Sequence, residues 1–148
     1  MPRTVMVNSG IVRYAQNISV GPHMLQADEP RDSGGNDIGL NPYELLLSAL
    51  GACTAMTLCM YAERKQWPLR GVQVRLAHSK THAEDCVACD TKQGTLDQID
   101  AEISLIGDLS EDPRRRLMEI ADRCPIHRTL ISEIQIRTTL TVAGGATG

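Results

Sequence analysis

The chain has 148 residues and a formal net charge of −3, with 42% hydrophobic and 22% charged residues, which fits one globular domain large enough to bury a core. It contains no Phe, one Trp and three Tyr, so the core must be aliphatic and aromatic platforms for nucleobases are nearly absent. The negative charge also argues against a general phosphate-binding surface, and we expect no nucleic-acid partner.

Residues 4–28 predict a meander of short strands. Turn signals at Asn8-Ser9-Gly10 and at Gly21-Pro22 separate short apolar runs. These runs cover residues 5–7, 11–14, 18–20 and 24–27. A polar loop over 32–37 is expected to follow the last strand.

The pair Asn41-Pro42 predicts the start of a long helix, with Asn41 as the N-cap and Pro42 at the first helical position. The helix should continue to about Lys65. Its uncharged stretch over 45–61 is shorter than the roughly 20 residues of a membrane-spanning helix, so we interpret it as a buried core helix and expect no membrane partner. The first residues lack the apolar region of a secretory signal, and we expect a cytoplasmic protein.

Two half-buried strands are predicted by the alternation of apolar and polar residues over 72–76 and 99–105. Gly107 should end the second strand, and residues 79–95 between the two strands look polar and irregular.

The C-terminal part predicts two helices and a last strand. Ser110 can cap the first helix, and Cys124-Pro125 starts a second, short one. Alternating apolar residues over 134–142 indicate the strand, and the small residues of the tail 143–148 are expected to be disordered. The whole chain, 1–148, is predicted to form a single α+β domain.

Five cysteines offer candidate chemistry. In a cytoplasmic protein, cysteines are more often catalytic, metal-binding or inert than structural bridges. Cys53 lies in the middle of the long helix, where small neighbours leave room for a substrate beside the sulfur, although a buried inert thiol is the usual alternative. Cys59, six positions later, faces another side of the helix and is expected in the core.

Cys124 occupies the predicted N-cap of the short helix. Unpaired backbone N–H groups and the positive end of the helix dipole favour a thiolate there. His127 and Arg128 in the first turn could add positive charge. The alternative is that Cys124 only packs at a helix junction.

Cys86 and Cys89 form a C-x-x-C in the polar loop, four residues after His82. Three readings stay open for this loop: half of a metal site, an auxiliary redox pair, or no special role. His23 and His78 could each be an ordinary histidine at a strand end.

Residues 41–53 and 124–130 together resemble the two signature segments of the OsmC/Ohr family, and the chain looks closest to the branch that carries a Cys-x-x-Cys loop. The resemblance implies an OsmC-like α+β fold in which antiparallel sheets wrap around long central helices. It also implies an intertwined homodimer with two active sites at the subunit interface.

The same resemblance implies a thiol-dependent peroxidase that reduces organic or hydrogen peroxides without a cofactor. The Cys53 thiolate would attack the peroxide and become a sulfenic acid. Cys124 would then close a disulfide with it, and an external dithiol reductant would restore both thiols.

One position departs from the family pattern. Ohr-type members carry a Glu directly after Asn-Pro, which helps to hold the arginine that activates the thiolate. Here that position is Tyr43, and Glu44 comes one residue later, about 180° from the first cysteine on a helical wheel. Arg128 and Arg13, ahead of Arg31, are the candidates for the activating arginine.

The departure motivates a second hypothesis, a non-catalytic binding module. Such a module would use the same fold to hold an apolar ligand or a metal ion, with Cys86, Cys89 and His82 as the metal ligands.

Overall fold

A computed structural model of the protein describes residues 3–141. The described chain forms a small sheet, a long helix, a long hairpin and two shorter helices, which confirms the predicted α+β class. The elements are β1 Met6–Ser9, β2 Gln16–Val20, β3 His23–Ala27, α1 Pro42–Lys65, β4 Leu69–His82, β5 Thr95–Gly107, α2 Glu111–Ala121 and α3 Pro125–Leu130.

The N-terminal sheet is an antiparallel meander in the order β1-β2-β3. The predicted turn at Gly21-Pro22 is confirmed, and Gly21 adopts the positive φ of 56° that suits glycine. The predicted strand over 11–14 is wrong. Those residues form the turn itself, closed by a hydrogen bond from the Gly10 N–H to the Ala15 carbonyl oxygen at 2.9 Å, because Asn8 and Ser9 still pair with β2.

Helix α1 starts and ends as the sequence predicts. The Asn41 side chain accepts a hydrogen bond from the Glu44 N–H, and the Glu44 carboxylate accepts one from the Asn41 N–H, both at 2.8 Å. This reciprocal capping box satisfies two backbone donors that the first turn would otherwise leave unpaired. Gln66, in the left-handed conformation, ends the helix.

One face of α1 is buried, and the opposite face is not. The buried residues recur mostly at three- and four-residue spacing, on the face of the helix that packs against β4, α2 and α3; they are Leu50, Gly51, Thr54, Leu58 and Ala62. Met56, Cys59 and Met60 are exposed. The predicted core position of Cys59 is therefore wrong, because the hairpin and the two short helices cover only one side of α1.

Within residues 3–141, α1 is the one helix whose length and composition would allow it to cross a membrane. The central helix of a globular core has the same length and composition.

The β4–β5 hairpin is longer than the sequence predicts. The register runs from Leu69 opposite Gly107 to His82 opposite Thr95, so residues 79–82 and 95–98 are paired and not irregular. An ion pair between Lys80 Nζ and Asp97 Oδ1, 2.7 Å apart, supports this outer part of the hairpin. Gly107 ends β5 as predicted.

The C-terminal region agrees with the predicted helices but not with the predicted strand. Ser110 and Cys124 stand at the N-cap positions of α2 and α3, although the Ser110 side chain makes no capping hydrogen bond. The described part of the predicted strand, 134–141, forms no strand and pairs with none of the sheet edges of the described chain. Ile136 and Leu140 remain 82% and 96% exposed. Residue 142 and the expected disordered tail, 143–148, lie outside the described residues.

Candidate active site

The structure brings Cys53 and Cys124 together. Helix α1 carries Cys53, and α3, which packs against α1, begins directly after Cys124. The Cys53 and Cys124 side chains lie within hydrogen-bond reach of each other. Cys53 is half-buried, whereas Cys124 is fully buried.

Four further polar groups surround the two sulfur atoms, and the hydroxyl proton of one of them, Thr54, is donated to the Leu50 carbonyl oxygen at 2.8 Å. The backbone N–H of Ile126 lies within hydrogen-bond reach of both sulfurs, and the N–H of His127 reaches Cys124. The Thr57 hydroxyl is next to Cys53, and the Thr54 hydroxyl is next to Cys124. The two backbone donors come from the first turn of α3, as expected for a cysteine at an N-cap.

Burial alone would raise the pKa of the Cys124 thiol, but the hydrogen bonds lower it. The largest stabilising contact is the Cys53 S–H, followed by the His127 N–H, the Thr54 hydroxyl and the Ile126 N–H. Hydrogen bonds to a charged form favour that form. The net pKa of Cys124 is therefore below the usual value for a cysteine.

The pKa of Cys53 moves in the opposite direction. Burial raises it first, and the role of its S–H as donor to Cys124 raises it further; the Ile126 N–H and the Thr57 hydroxyl only partly offset this. The two thiols are close enough to titrate as a unit, with the lowered pKa at Cys124 and the raised pKa at Cys53.

A cavity of about 550 Å³ lies beside the pair, between α1, the hairpin and the two C-terminal helices. Its middle is apolar and includes Leu46, Leu50, Ile99, Ala101, Ile103 and Leu130. Thr54 and His127 line the end next to the cysteines. Since both residues contact Cys124, its sulfur lies one hydrogen bond away from the cavity wall.

The other end of the cavity is polar and was missed by the sequence analysis. His78 Nε2 lies 2.8 Å from Asp97 Oδ1, and the His78 ring stacks on Tyr43 with centroids 4.5 Å apart. All three residues line the cavity. The sequence alone suggests that His78 is an ordinary histidine at a strand end, whereas the structure places it in the cavity wall. Its alternation with Leu76 along β4 would have placed it on the inward face, but only the longer register of the hairpin puts Asp97 beside it.

The three candidates for the activating arginine lie on three different elements of this chain. Arg128 is exposed on α3, and Arg13 is held in the β1–β2 turn with its guanidinium 5.0 Å from the Tyr14 ring. Arg31 begins a single helical turn in the loop after β3. Burial, hydrogen bonds and the partner thiol govern both thiol pKa values, and none of these arginines is among the influences.

Glu44 is occupied by the capping box, as its position on the helical wheel suggested. His127 acts on the pair through its backbone N–H, and its side chain belongs to the cavity wall. The first turn of α1 therefore supplies no carboxylate to the thiol pair.

Cys86 and Cys89 form a disulfide in the loop at the end of the hairpin. Disulfide sulfurs are not the thiolates that bind metal ions. In the described range, 3–141, no three His, Cys, Asp or Glu side chains are grouped so that they could hold a metal ion. His82 is exposed next to this loop. The metal-binding hypothesis for Cys86, Cys89 and His82 is therefore not favoured.

Comparison with known proteins places this arrangement in a family. The model of the OsmC-like protein family matches residues 34–139, well over half of the chain. Among curated proteins, none matches the sequence.

Several solved structures share the fold. One is a putative osmotic stress induced and detoxification response protein from Psychrobacter arcticus, with 15% identity, a TM-score of 0.68 and coverage of 85% of this chain and 86% of that chain. An organic hydroperoxide resistance protein OsmC from Legionella pneumophila has 17% identity, a TM-score of 0.63 and coverage of 88% and 90%. An organic hydroperoxide resistance protein from Elizabethkingia anophelis has 16% identity, a TM-score of 0.64 and coverage of 91% of both chains.

At these identities the structures establish the fold alone, and the family match extends over both cysteines of the thiol pair. The chain therefore belongs to the OsmC-like protein family.

Proposed function

We propose that the protein reduces organic or hydrogen peroxides with the thiols of Cys53 and Cys124. The observation that carries this proposal is the hydrogen bond between the two thiols, beside a largely apolar cavity. Two solved structures of the same fold are described as organic hydroperoxide resistance proteins, which supports the choice of peroxides as the substrate class.

The half-buried Cys53 is the thiol that a peroxide can reach, so we assign the first attack to it. The member of the pair whose thiol pKa is lowered, however, is Cys124. Transfer of the proton from Cys53 to Cys124 along their hydrogen bond produces the Cys53 thiolate. The pair thus supplies its own base, in place of an arginine from this chain.

The chemistry then follows two balanced steps. The Cys53 sulfur forms a bond to one peroxide oxygen, the O–O bond breaks, and the second oxygen leaves with the electron pair and takes a proton as an alcohol or water. The Cys124 sulfur next attacks the Cys53 sulfenic acid, which forms the disulfide and releases water. An external dithiol reduces that disulfide by exchange and becomes oxidised itself.

We also propose that a second copy of the chain covers the surfaces that α1 and the C-terminal segment leave open. Met56, Cys59 and Met60 on α1 and the exposed Ile136 and Leu140 are apolar side chains without a neighbour in the described chain. An extended apolar segment can be buried by adding it to another chain. Sedimentation analysis of the full-length protein should give twice the chain mass, and a monomer at micromolar concentration would contradict this.

The peroxidase proposal is tested by peroxide consumption. The protein is incubated with cumene hydroperoxide and excess dithiol, and the remaining peroxide is measured with time. Cys53→Ser should abolish turnover, whereas Cys59→Ser, which changes a thiol on another face of the same helix, should retain it. Unchanged turnover in Cys53→Ser would contradict the peroxidase proposal.

A further inference from the structure

The polar end of the cavity is too far from the thiols to take part in their reaction. Tyr43 and Cys53 are ten positions apart on α1, which corresponds to about 15 Å along the helix axis at 1.5 Å per residue. His78 stacks on Tyr43 at this distant end. A ligand that occupies both ends must therefore be elongated, with an apolar middle that matches the aliphatic wall.

The hydrogen bonds at this end determine what kind of group it can bind. Asp97 Oδ1 accepts from both His78 Nε2 at 2.8 Å and Lys80 Nζ at 2.7 Å. The pKa of Asp97 is lowered, first by the hydrogen bond from Lys80 and then by that from His78, so the group stays a carboxylate that only accepts. His78 Nε2 therefore donates its proton to Asp97, and His78 Nδ1 is the ring nitrogen left for a ligand.

Two polar atoms are thus available at the distant end. In the described part of the chain, neither His78 Nδ1 nor Asp97 Oδ2 has a hydrogen-bond partner. Asp97 Oδ2 only accepts, so a hydroxyl group, which can both donate and accept, suits this pair of atoms. A carboxylate has no proton to donate to Asp97 Oδ2, and a methyl group would cover both atoms without pairing them.

We propose that His78, oriented by Asp97, recognises a hydroxyl group at the far end of an elongated organic hydroperoxide whose peroxide group lies at Cys53. This inference rests on the proposed peroxidase function and narrows its substrate class to hydroperoxides that carry a hydrogen-bond donor. His78 is thereby a specificity-determining residue, separate from the thiol chemistry.

The test compares three linear hydroperoxides of equal length that end in a hydroxyl, a methyl or a carboxylate group. The hydroxyl compound should have a kcat/KM about fivefold above that of the methyl compound, the usual effect of one neutral hydrogen bond. The carboxylate compound should be the poorest. The differences should appear in KM, because the distant end does not touch the reacting atoms. A preference for the carboxylate would overturn the proposal.

Two variants test the contributions of His78 Nδ1 and Asp97 Oδ2 separately. His78→Phe keeps the aromatic stack on Tyr43 but should reduce the preference for hydroxyl over methyl to about one. Asp97→Asn keeps an oxygen that can accept from Nε2 but replaces Oδ2 by an amide group that donates, so it should mainly relieve the rejection of the carboxylate. His23→Phe, the same change at an exposed histidine of β3, should retain the wild-type order. An undiminished preference in His78→Phe would refute the role of His78.

Binding of redox-inert analogues distinguishes failure of the peroxidase proposal from failure of the proposed hydroxyl site. A linear diol and the linear alcohol of the same length are titrated into the protein by calorimetry, with no peroxide present. Tighter binding of the diol without any peroxide turnover would reject the peroxidase and keep the hydroxyl site. Turnover of all three hydroperoxides at equal kcat/KM, with equal binding of diol and alcohol, would keep the peroxidase and reject the site.

Discussion

The Cys53 thiol lies within hydrogen-bond reach of the Cys124 sulfur, although the two residues belong to different halves of the chain. This contact divides two requirements of a reactive thiol between two residues. Cys124 has the donors that stabilise a negative charge, and Cys53 has the greater access to the outside. Because the two thiols titrate as a unit, changing either residue alters the ionisation of the other.

Removal of the Cys53 thiol should make Cys124 harder to ionise. Cys53→Ala deletes the largest contact that lowers the Cys124 pKa, so the Cys124 thiolate should appear at higher pH than in the parent protein. The ultraviolet absorbance of thiolates, followed against pH in a Cys59→Ser background, measures this shift. Cys53→Ser keeps an O–H donor and should shift the curve less. Superimposable curves for Cys53→Ala and its parent would contradict the proposed hydrogen bond.

The order of attack can be read by trapping the sulfenic acid. In Cys124→Ser, hydrogen peroxide should convert Cys53 to a sulfenic acid that persists, because no second thiol is there to condense with it. A dimedone adduct at Cys53, located by mass spectrometry, is the expected result. The complementary Cys53→Ser variant should give little adduct at Cys124, whose side chain is fully buried. Adduct mainly at Cys124 would reverse the two roles.

The core between α1 and α2 should dominate stability. Ile120 is 6% exposed and belongs to the cluster that contains Leu58 and Leu117. Ile120→Ala should therefore lower the free energy of unfolding by about 3 kcal/mol. Ile11→Ala, the same change at a fully exposed position in the β1–β2 turn, should change it by less than about 0.5 kcal/mol. Urea unfolding followed by circular dichroism measures both values, and equal effects would contradict this core.

The capping box at the start of α1 should also stabilise the folded protein. Asn41→Ala removes the side chain that accepts from the Glu44 N–H and should cost about 1 kcal/mol of stability. Asn41→Asp retains an acceptor oxygen at the same position and should cost little. If the alanine and aspartate variants unfold at the same urea concentration, the cap does not stabilise the helix.

Sequence patterns predicted α1, α3 and the inward faces of both hairpin strands because local signals specify them. Asn41-Pro42 and Cys124-Pro125 combine a cap with the residue that fits a first helical turn. Cys53 and Cys124 also stood out, since each occupies a setting that suits a reactive thiol. Which of the two thiols has the lowered pKa could not be predicted, because that depends on hydrogen-bond donors that come together only when the chain folds.

The failed predictions share a non-local cause. The strand expected over 134–142 has the right alternation, but a strand also needs a neighbour, and the described chain supplies none. Cys59 has apolar surroundings along α1, yet its burial depends on what packs against that face. His78 and Asp97 meet only because the hairpin continues beyond the apolar alternation, through residues whose polarity resembles that of a loop.

The bridge between Cys86 and Cys89 spans only three positions within one loop. A disulfide between residues so close in sequence excludes few conformations of the unfolded chain. Its reduction should therefore leave the protein folded. A reducing buffer that maintains the chemistry at Cys53 and Cys124 is therefore compatible with an intact protein. Loss of turnover after reductant is withdrawn would accordingly report on the supply of electrons and not on unfolding.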